Sequence, residues 1–225
     1  MEEIFDISTI IGKGNFSFVN IVSRKNDDKK YAMKTIRKLK LDEKSIVSTI
    51  IFLTLIFQAF LLDEIDVLRA IDHPNVISLV EVYESERRVH LILPYYSGGE
   101  LFDRIKDKVF YKERDAVLVM KSILSGLEYL ERKRIVHRDL KPENLILKSK
   151  DNDYDLVIAD FGLATFLPSC NTLKEQKCGS LGFIAPEMLN NQEYNCKANM
   201  FSAGAIMYQI LTGRMAFGGF NSKEV

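Results

Sequence analysis

Residues 137–144 read His-Arg-Asp-Leu-Lys-Pro-Glu-Asn. An apolar helical run precedes this stretch, and a strand-like run, Leu145-Ile146-Leu147, follows it. It therefore sits on a loop between two packed elements, where scaffolds commonly hold chemistry. Asp139 is placed to accept a proton from a hydroxyl. Asn144, five residues on, offers a neutral oxygen suited to a hard cation such as Mg2+. Lys141 lies between them and can neutralise charge building on a transferring phosphoryl group. Sixteen residues past Asn144 stands Asp160-Phe161-Gly162, after the apolar strand Leu156-Val157-Ile158-Ala159. A carboxylate at a strand end beside a glycine is a second metal-ligand candidate. Singly, each feature has an ordinary explanation, since charged loops are usually solvated and Asp-Phe-Gly is often a turn.

Together these stretches resemble the catalytic loop and metal-binding loop of the protein kinase family. The family's other signatures appear in order: Gly12-Lys13-Gly14, Tyr31-Ala32-Met33-Lys34, Glu64, the two loops above and Ala185-Pro186-Glu187. The resemblance runs from residue 5 to residue 225. Lys-Pro-Glu-Asn is similar to the serine/threonine branch. Gly12-Lys13-Gly14-Asn15-Phe16-Ser17 and Gly98-Gly99-Glu100-Leu101-Phe102-Asp103-Arg104-Ile105 resemble the calcium/calmodulin-dependent kinase group. The resemblance implies an α+β, two-lobed fold. A small antiparallel β lobe with one helix would cover 5–93, a hinge 94–97, and a mainly helical large lobe 98–225, incomplete at its C-terminus.

Length and composition allow one large domain or two lobes sharing a hinge. The chain has 225 residues, of which 47% are hydrophobic, enough for a packed core. Lys+Arg and Asp+Glu both number 31, so no net charge points to nucleic acid. The three cysteines include no Cys-x-x-Cys pair, which argues against a disulfide framework or zinc site and fits a reducing, cytoplasmic setting. The acidic N-terminus lacks the apolar region of a secretory signal.

Along the chain, residues 5–11 read as a strand, and Gly12 and Gly14 let the backbone approach a phosphate. The strand-like Phe18–Val22 that follows argues against a dinucleotide-binding turn, which would open a helix. It fits a glycine hairpin over ATP, with Lys13 in the turn. Lys34 lies mid-strand among apolar neighbours, and Glu64 lies in a helical run with Ile65, Leu68 and Ile71 at core spacing. Residues 76–83 and 88–93 read as strands, 100–107 and 113–133 as helices, and 194–212 as a buried helix. The apolar set of the second helix is Val117, Met120, Ile123, Leu124, Leu127 and Leu130.

The resemblance assigns roles residue by residue. Lys34, held by Glu64, would bind the ATP α- and β-phosphates. Ile11, Val19, Ala32 and Ile146 would sandwich adenine, Leu93 would guard the back of its pocket, and backbone at Pro94 and Tyr96 would bond its edge. Asp139 would orient the substrate hydroxyl, and Lys141 would stabilise the γ-phosphate. Asn144 and Asp160 would hold Mg2+. Glu100 and Glu143 are counted with the nucleotide-binding residues and stand where relatives select a basic residue N-terminal to the target serine or threonine, although two surface acids could equally face solvent. Ser180 matches a threonine that bonds the catalytic Asp and Lys. His137 would pack rather than act as acid or base. Arg138 marks relatives activated by a phosphate on the segment 163–184, where Gln176 occupies the usual position and Thr172 and Ser169 lie nearby.

Three departures set this chain apart. Lys34 and Glu64 are thirty residues apart, the excess being Ser45–Leu62, uncharged from Ile46 onward. This run reads as foreign to the family pattern, and it reaches only the short limit of a bilayer span, so no membrane attachment is expected. Asn199 stands where the family has an aspartate bracing the catalytic loop. The chain also ends at Val225, before further large-lobe helices. The expectation is Mg-ATP-dependent phosphorylation of protein serine or threonine. A nucleotide-binding module without catalysis is the rival. No calmodulin-binding segment or EF-hand loop is visible.

Overall fold

Burial alternates along the third strand of the first sheet, Lys30–Arg37. β1 (Phe5–Lys13), β2 (Ser17–Arg24) and β3 (Lys30–Arg37) run as consecutive antiparallel strands. β4 (Glu81–Glu84) and β5 (Arg88–Pro94) complete the order β1-β2-β3-β5-β4. The computed structural model describes residues 1, 3–14, 17–26, 29–38, 48–168 and 178–218, the stretch 48–57 by its backbone alone. Contacts divide the chain into two units, Met1–Leu62 with Ser78–Tyr95, and Asp63–Ile77 with Tyr96–Val225.

In the first unit one sheet face carries Phe5, Val22, Tyr31, Met33 and Ile92, packed into a closed apolar cluster. Phe5 meets Tyr31 and Tyr83 edge-on, with centroids 6.3 and 6.0 Å apart. The register puts Val19, Lys34 and Leu91 side by side, and beside them Ile21, Ala32 and Leu93. Cross-strand partners share a face, so Val19, Ala32, Lys34 and Leu93 line the sheet's other side together. The strand expected over 76–83 is shorter, because Val76 and Ile77 attach to Ile158 instead, Val76 in a parallel bridge and Ile77 through its N–H (2.9 Å).

α1 (Ser48–Ala70) is a single helix of 23 residues. The uncharged excess from Ser48 onward is thus an N-terminal continuation of the helix that carries Glu64, with Ser45–Val47 outside the described residues. Neither Gly nor Pro occurs between Leu39 and His73, so nothing interrupts propagation. Among the described residues no helix is long and apolar enough to cross a membrane.

The second unit is built on α2 (Leu101–Lys108) and α3 (Glu113–Arg132), close to the expected bounds. α3 buries Met120, Ile123, Leu127 and Leu130, with Ala116 and Val119, whereas Val117 and Leu124 are exposed. Gly126 lets α3 approach the strand Leu156–Ile158: a Cβ there would lie 2.8 Å from Ile158 Cδ1. β6 (Gly99–Glu100), β8 (Leu145–Leu147) and β9 (Leu156–Ile158) form one small sheet, and β7 (Ile135–Val136) with β10 (Thr165–Phe166) another. A 3-10 turn, Pro142–Asn144, leads into β8. α4 (Pro186–Leu189) and α5 (Lys197–Thr212) follow, α5 starting three residues later than expected. Asp63–Ile77 belongs to this unit because its side chains and backbone bond there. Asn75 Nδ2 donates to Leu156 O (3.0 Å), Tyr129 accepts the Asp72 N–H at its hydroxyl (2.8 Å), and His73 stacks on Tyr129.

Asp153 ties the β8–β9 connection to α2. This buried carboxylate pairs with Lys108 and, at 3.4 Å, with Arg104, and accepts the buried Tyr111 hydroxyl at 2.9 Å. Asp153→Ala strands that hydroxyl, at a cost of about 1–3 kcal/mol. Adding Tyr111→Phe to the variant should recover part of the loss in urea unfolding. A double variant that loses the full sum of both single effects would refute this account of Asp153.

Candidate active site

The catalytic loop is held from below. β7 delivers His137, whose backbone N–H donates to Asn199 Oδ1 at 3.1 Å, and both residues are buried. Asn199 thus keeps the acceptor role that the aspartate of relatives implies, without its charge. The His137 ring is fully enclosed. Its Nδ1 accepts the Asp139 N–H (3.3 Å), so Nε2 carries the hydrogen and donates to Ala159 O (2.9 Å). Burial pushes its pKa below the ordinary value of 6.5. The imidazole is a neutral spacer between the two loops, stacked edge-on against Phe161 at 4.9 Å, as the sequence implies.

Arg138 follows in a left-handed conformation, φ 68°. Its buried guanidinium donates from Nε to Leu163 O and from Nη1 to the Tyr194 hydroxyl (3.3 Å). Gly179, at φ +112°, lies over the Arg138 carbonyl, where a Cβ would approach to 2.6 Å. Neither Tyr194 nor Gly179 announces this role in sequence, although Gly179 adjoins Ser180. Ser169, Thr172 and Gln176 lie outside the described residues.

Four predicted or matched residues come together at the loop's working end. Ser180 Oγ donates to Asp139 Oδ1 (2.7 Å), and Lys141 Nζ donates to Ser180 Oγ (2.8 Å) and pairs with Asp139 Oδ2 (3.0 Å). Asn144 Nδ2 donates to Asp139 O (2.7 Å) and Oδ2 (3.2 Å). Both partners are acceptors, so the amide orientation is fixed and Oδ1 is left for another partner. The Ala159 N–H donates to Asn144 O (2.8 Å), which ties the residue before Asp160 to this turn. Asp160 itself is exposed and left-handed, φ 60°. An amide oxygen and an exposed carboxylate on adjoining turns are a hard-oxygen donor set that fits Mg2+, which takes few protein ligands and completes its shell with phosphate and water.

Glu100 and Glu143 also belong to this unit. Burial raises the Glu100 pKa, and the charges of Asp103 and Glu143 raise it further, against Lys141. Glu143 Oε2 is buried with no hydrogen-bond partner among the described residues. Ile146 pairs with Glu100 across β6 and β8, and Tyr96 lies half-buried just before β6. Glu64 is buried in the last turns of α1.

The remaining site residues belong to the first unit. Gly12 pairs with Val19 and Lys13 with Phe18, and the Gly14 N–H closes the hairpin on Ser17 O (2.8 Å). Ile11 sits at a register shift and is half exposed, and Pro94 ends β5 opposite Tyr31. Lys34 is half-buried between Val19 and Leu91.

The chain matches the protein kinase domain family over residues 5–225 and belongs to that family. It is 36% identical to myosin light chain kinase A of Dictyostelium discoideum, over 100% of this chain and 72% of that protein. A probable myosin light chain kinase of the same organism is 38% identical, over 99% of this chain and 44% of that protein, so the chain spans less than half of it. These relatives mark a serine/threonine protein kinase domain of the calcium/calmodulin-dependent kinase type, in an α+β fold.

His73, His90 and His137 all have pKa values lowered from 6.5, in each case chiefly by burial. A lowered folded-state pKa means the unfolded chain binds more protons below pH 6.5. Their contribution to stability is complete above that pH and lost as pH falls toward the depressed values. The melting temperature should therefore drop on acidification from about pH 7 to about pH 5, and His90→Leu or His73→Leu should each flatten the slope. A melting temperature that rises over this window would contradict the burial argument.

Proposed function

We propose that this domain transfers the γ-phosphoryl group of ATP to serine or threonine hydroxyls of proteins carrying a basic residue upstream. The network of Asp139, Lys141, Asn144 and Ser180 supports this reading above all else. Asp139 accepts the substrate's hydroxyl proton as the oxygen forms its bond to γ-phosphorus and the bond to the departing ADP oxygen breaks. Lys141 offsets charge on the transferring group, and Ser180 keeps the Asp139 carboxylate in one rotamer. Asn144 Oδ1 and the Asp160 carboxylate would hold Mg2+, which would supply charge neutralisation on the phosphates. Lys34 and the backbone of Gly12, Lys13 and Gly14, all in the first unit, hold the phosphates. Ile11, Val19, Ala32 and Leu93, which share the first unit, take the adenine ring, and Pro94 bonds its edge through backbone.

Glu100 and Glu143 give the substrate preference. Two carboxylates on adjoining elements repel, and a buried carboxylate oxygen without a donor gains from an incoming guanidinium. The names of the two relatives make a myosin light chain the first protein substrate to try. The bond retained by Asn199 favours catalysis over a module that only binds nucleotide. The cysteine pattern supports a cytoplasmic location.

The test is phosphate transfer from Mg-ATP to an Arg-x-x-Ser peptide. Asp139→Asn should lower kcat by about 10²–10⁴-fold with ATP binding kept. Glu100→Gln with Glu143→Gln should raise KM for the basic peptide about tenfold, and leave a neutral peptide unaffected. Activity that survives Asp139→Asn would overturn the assignment.

A further inference from the structure

Two arginines face each other across β3 and β5. Arg37 and Arg88 are directly paired in the register, and both are exposed. Like charges opposite each other destabilise a strand pair. The carboxylates of β4 are engaged elsewhere: Glu84 pairs with Lys38, and Glu81 pairs with Arg24 at 2.6 Å and accepts the Tyr83 hydroxyl at 2.6 Å. Arg37, Arg87 and Arg88 have no ion pair among the described residues. Arg87, Arg88 and His90 line a cavity of about 750 Å3 within the first unit, together with Ile7, Glu3 and Glu86. We propose that this cavity binds a phosphorylated serine or threonine side chain of a peptide, with an apolar residue beside it. Arg87, Arg88 and His90 take the phosphate, and Ile7 takes the apolar neighbour.

The site lies on the sheet face turned away from Lys34. Thr35 pairs with His90, and Met33 with Ile92, both members of the apolar cluster. Residues two apart on a strand share a face, so Thr35, Arg37, Arg88 and His90 stand on the Met33 side. His90 is 9% exposed, and its Nδ1 lies 2.9 Å from Thr35 Oγ1. Thr35 is fully enclosed, and its hydroxyl proton has no other acceptor among the described residues. The hydroxyl therefore donates to Nδ1, and Nε2 carries the ring hydrogen. No group among the described residues accepts that hydrogen. Burial lowers the His90 pKa and the Arg88 charge lowers it further, so a neutral donor stands close to a guanidinium.

A phosphate monoester supplies what this donor set lacks. It carries close to two negative charges and three strong acceptor oxygens. Guanidiniums grip such oxygens bidentately, in bonds about twice as strong as neutral ones. An anion here also relieves the repulsion between Arg37 and Arg88. Glu3 and Glu86 on the same walls repel a polyanion, which sets the site against nucleic acid or an anionic membrane and suits one localised dianion. Ile7 is 45% exposed and gives the cavity an apolar wall. The volume lies in the range of ligand pockets and leaves room for residues flanking the phosphate.

The test is thermal denaturation of the whole chain at constant ionic strength. The probes are a phosphoserine peptide with leucine beside the phosphoserine, the same peptide unphosphorylated, and inorganic phosphate. The phosphopeptide should raise the melting temperature by about 5–10 °C at about a hundred times its Kd. The unphosphorylated peptide should leave it unchanged. The double variant Arg87→Gln with Arg88→Gln should lose the shift. Lys34→Met should keep it, because the nucleotide phosphates bind on the opposite sheet face. Without any ligand, Arg37→Gln should raise the melting temperature by removing the like-charge pair. Equal shifts from both peptides, no shift from the phosphopeptide, or a shift lost in Lys34→Met and kept in the double variant would overturn the proposal. A response to inorganic phosphate alone would overturn the peptide as its source.

Discussion

A backbone N–H at the end of β7 has nowhere to bond within a strand that stops there, and Asn199 takes it up from α5. Burying that N–H without an acceptor would cost about 1–3 kcal/mol. The consequences reach further than the energy. Once His137 is fixed, its ring spaces the catalytic loop from the Asp160 turn, with Nδ1 taking the Asp139 N–H and Nε2 giving its proton to Ala159 O. The next residue, Arg138, can then hold a left-handed conformation because Leu163, Tyr194 and Gly179 surround it. Strain of this kind persists only where neighbours over-determine it.

The working end inherits that order. Asp139 meets a cation, a hydroxyl and an amide, all within 3.2 Å. Those bonds leave the carboxylate with little freedom to reorganise as charge moves, which is how a site stabilises a transition state electrostatically. Asn144 serves twice, with its nitrogen committed to Asp139 and its oxygen turned elsewhere. The acidic pair Glu100 and Glu143 stands on β6 and the turn that bears Asn144, beside the residues that order Asp139.

Much of this was legible because the informative residues are local. His137–Asn144 and Asp160–Gly162 carry their chemistry in consecutive positions, and the strands and helices around them follow simple periods. Several features were not legible. The run before Glu64 has no polar face and no breaker, so its apolar pattern could not distinguish a foreign insert from an extension of α1. Val76 and Ile77 look like strand residues, yet their partner is Ile158, a pairing no local pattern encodes. Val117 and Leu124 fit a helical stripe but lie outside the buried sector of α3, since the stripe is wider than the surface that covers it. The links from Arg138 to Tyr194 and from Thr165 to Asp63 span 56 and 102 residues and become visible only in three dimensions.

The most direct test of this account is kcat for Asn199→Ala beside Asn199→Asp, measured where both remain folded by near-ultraviolet circular dichroism. Loss of the brace should lower kcat of the alanine variant about ten- to a hundredfold, with the aspartate variant at or above wild type because it keeps an acceptor for the His137 N–H. An alanine variant that folds and keeps wild-type kcat would contradict the claim that this one buried bond orders the catalytic loop.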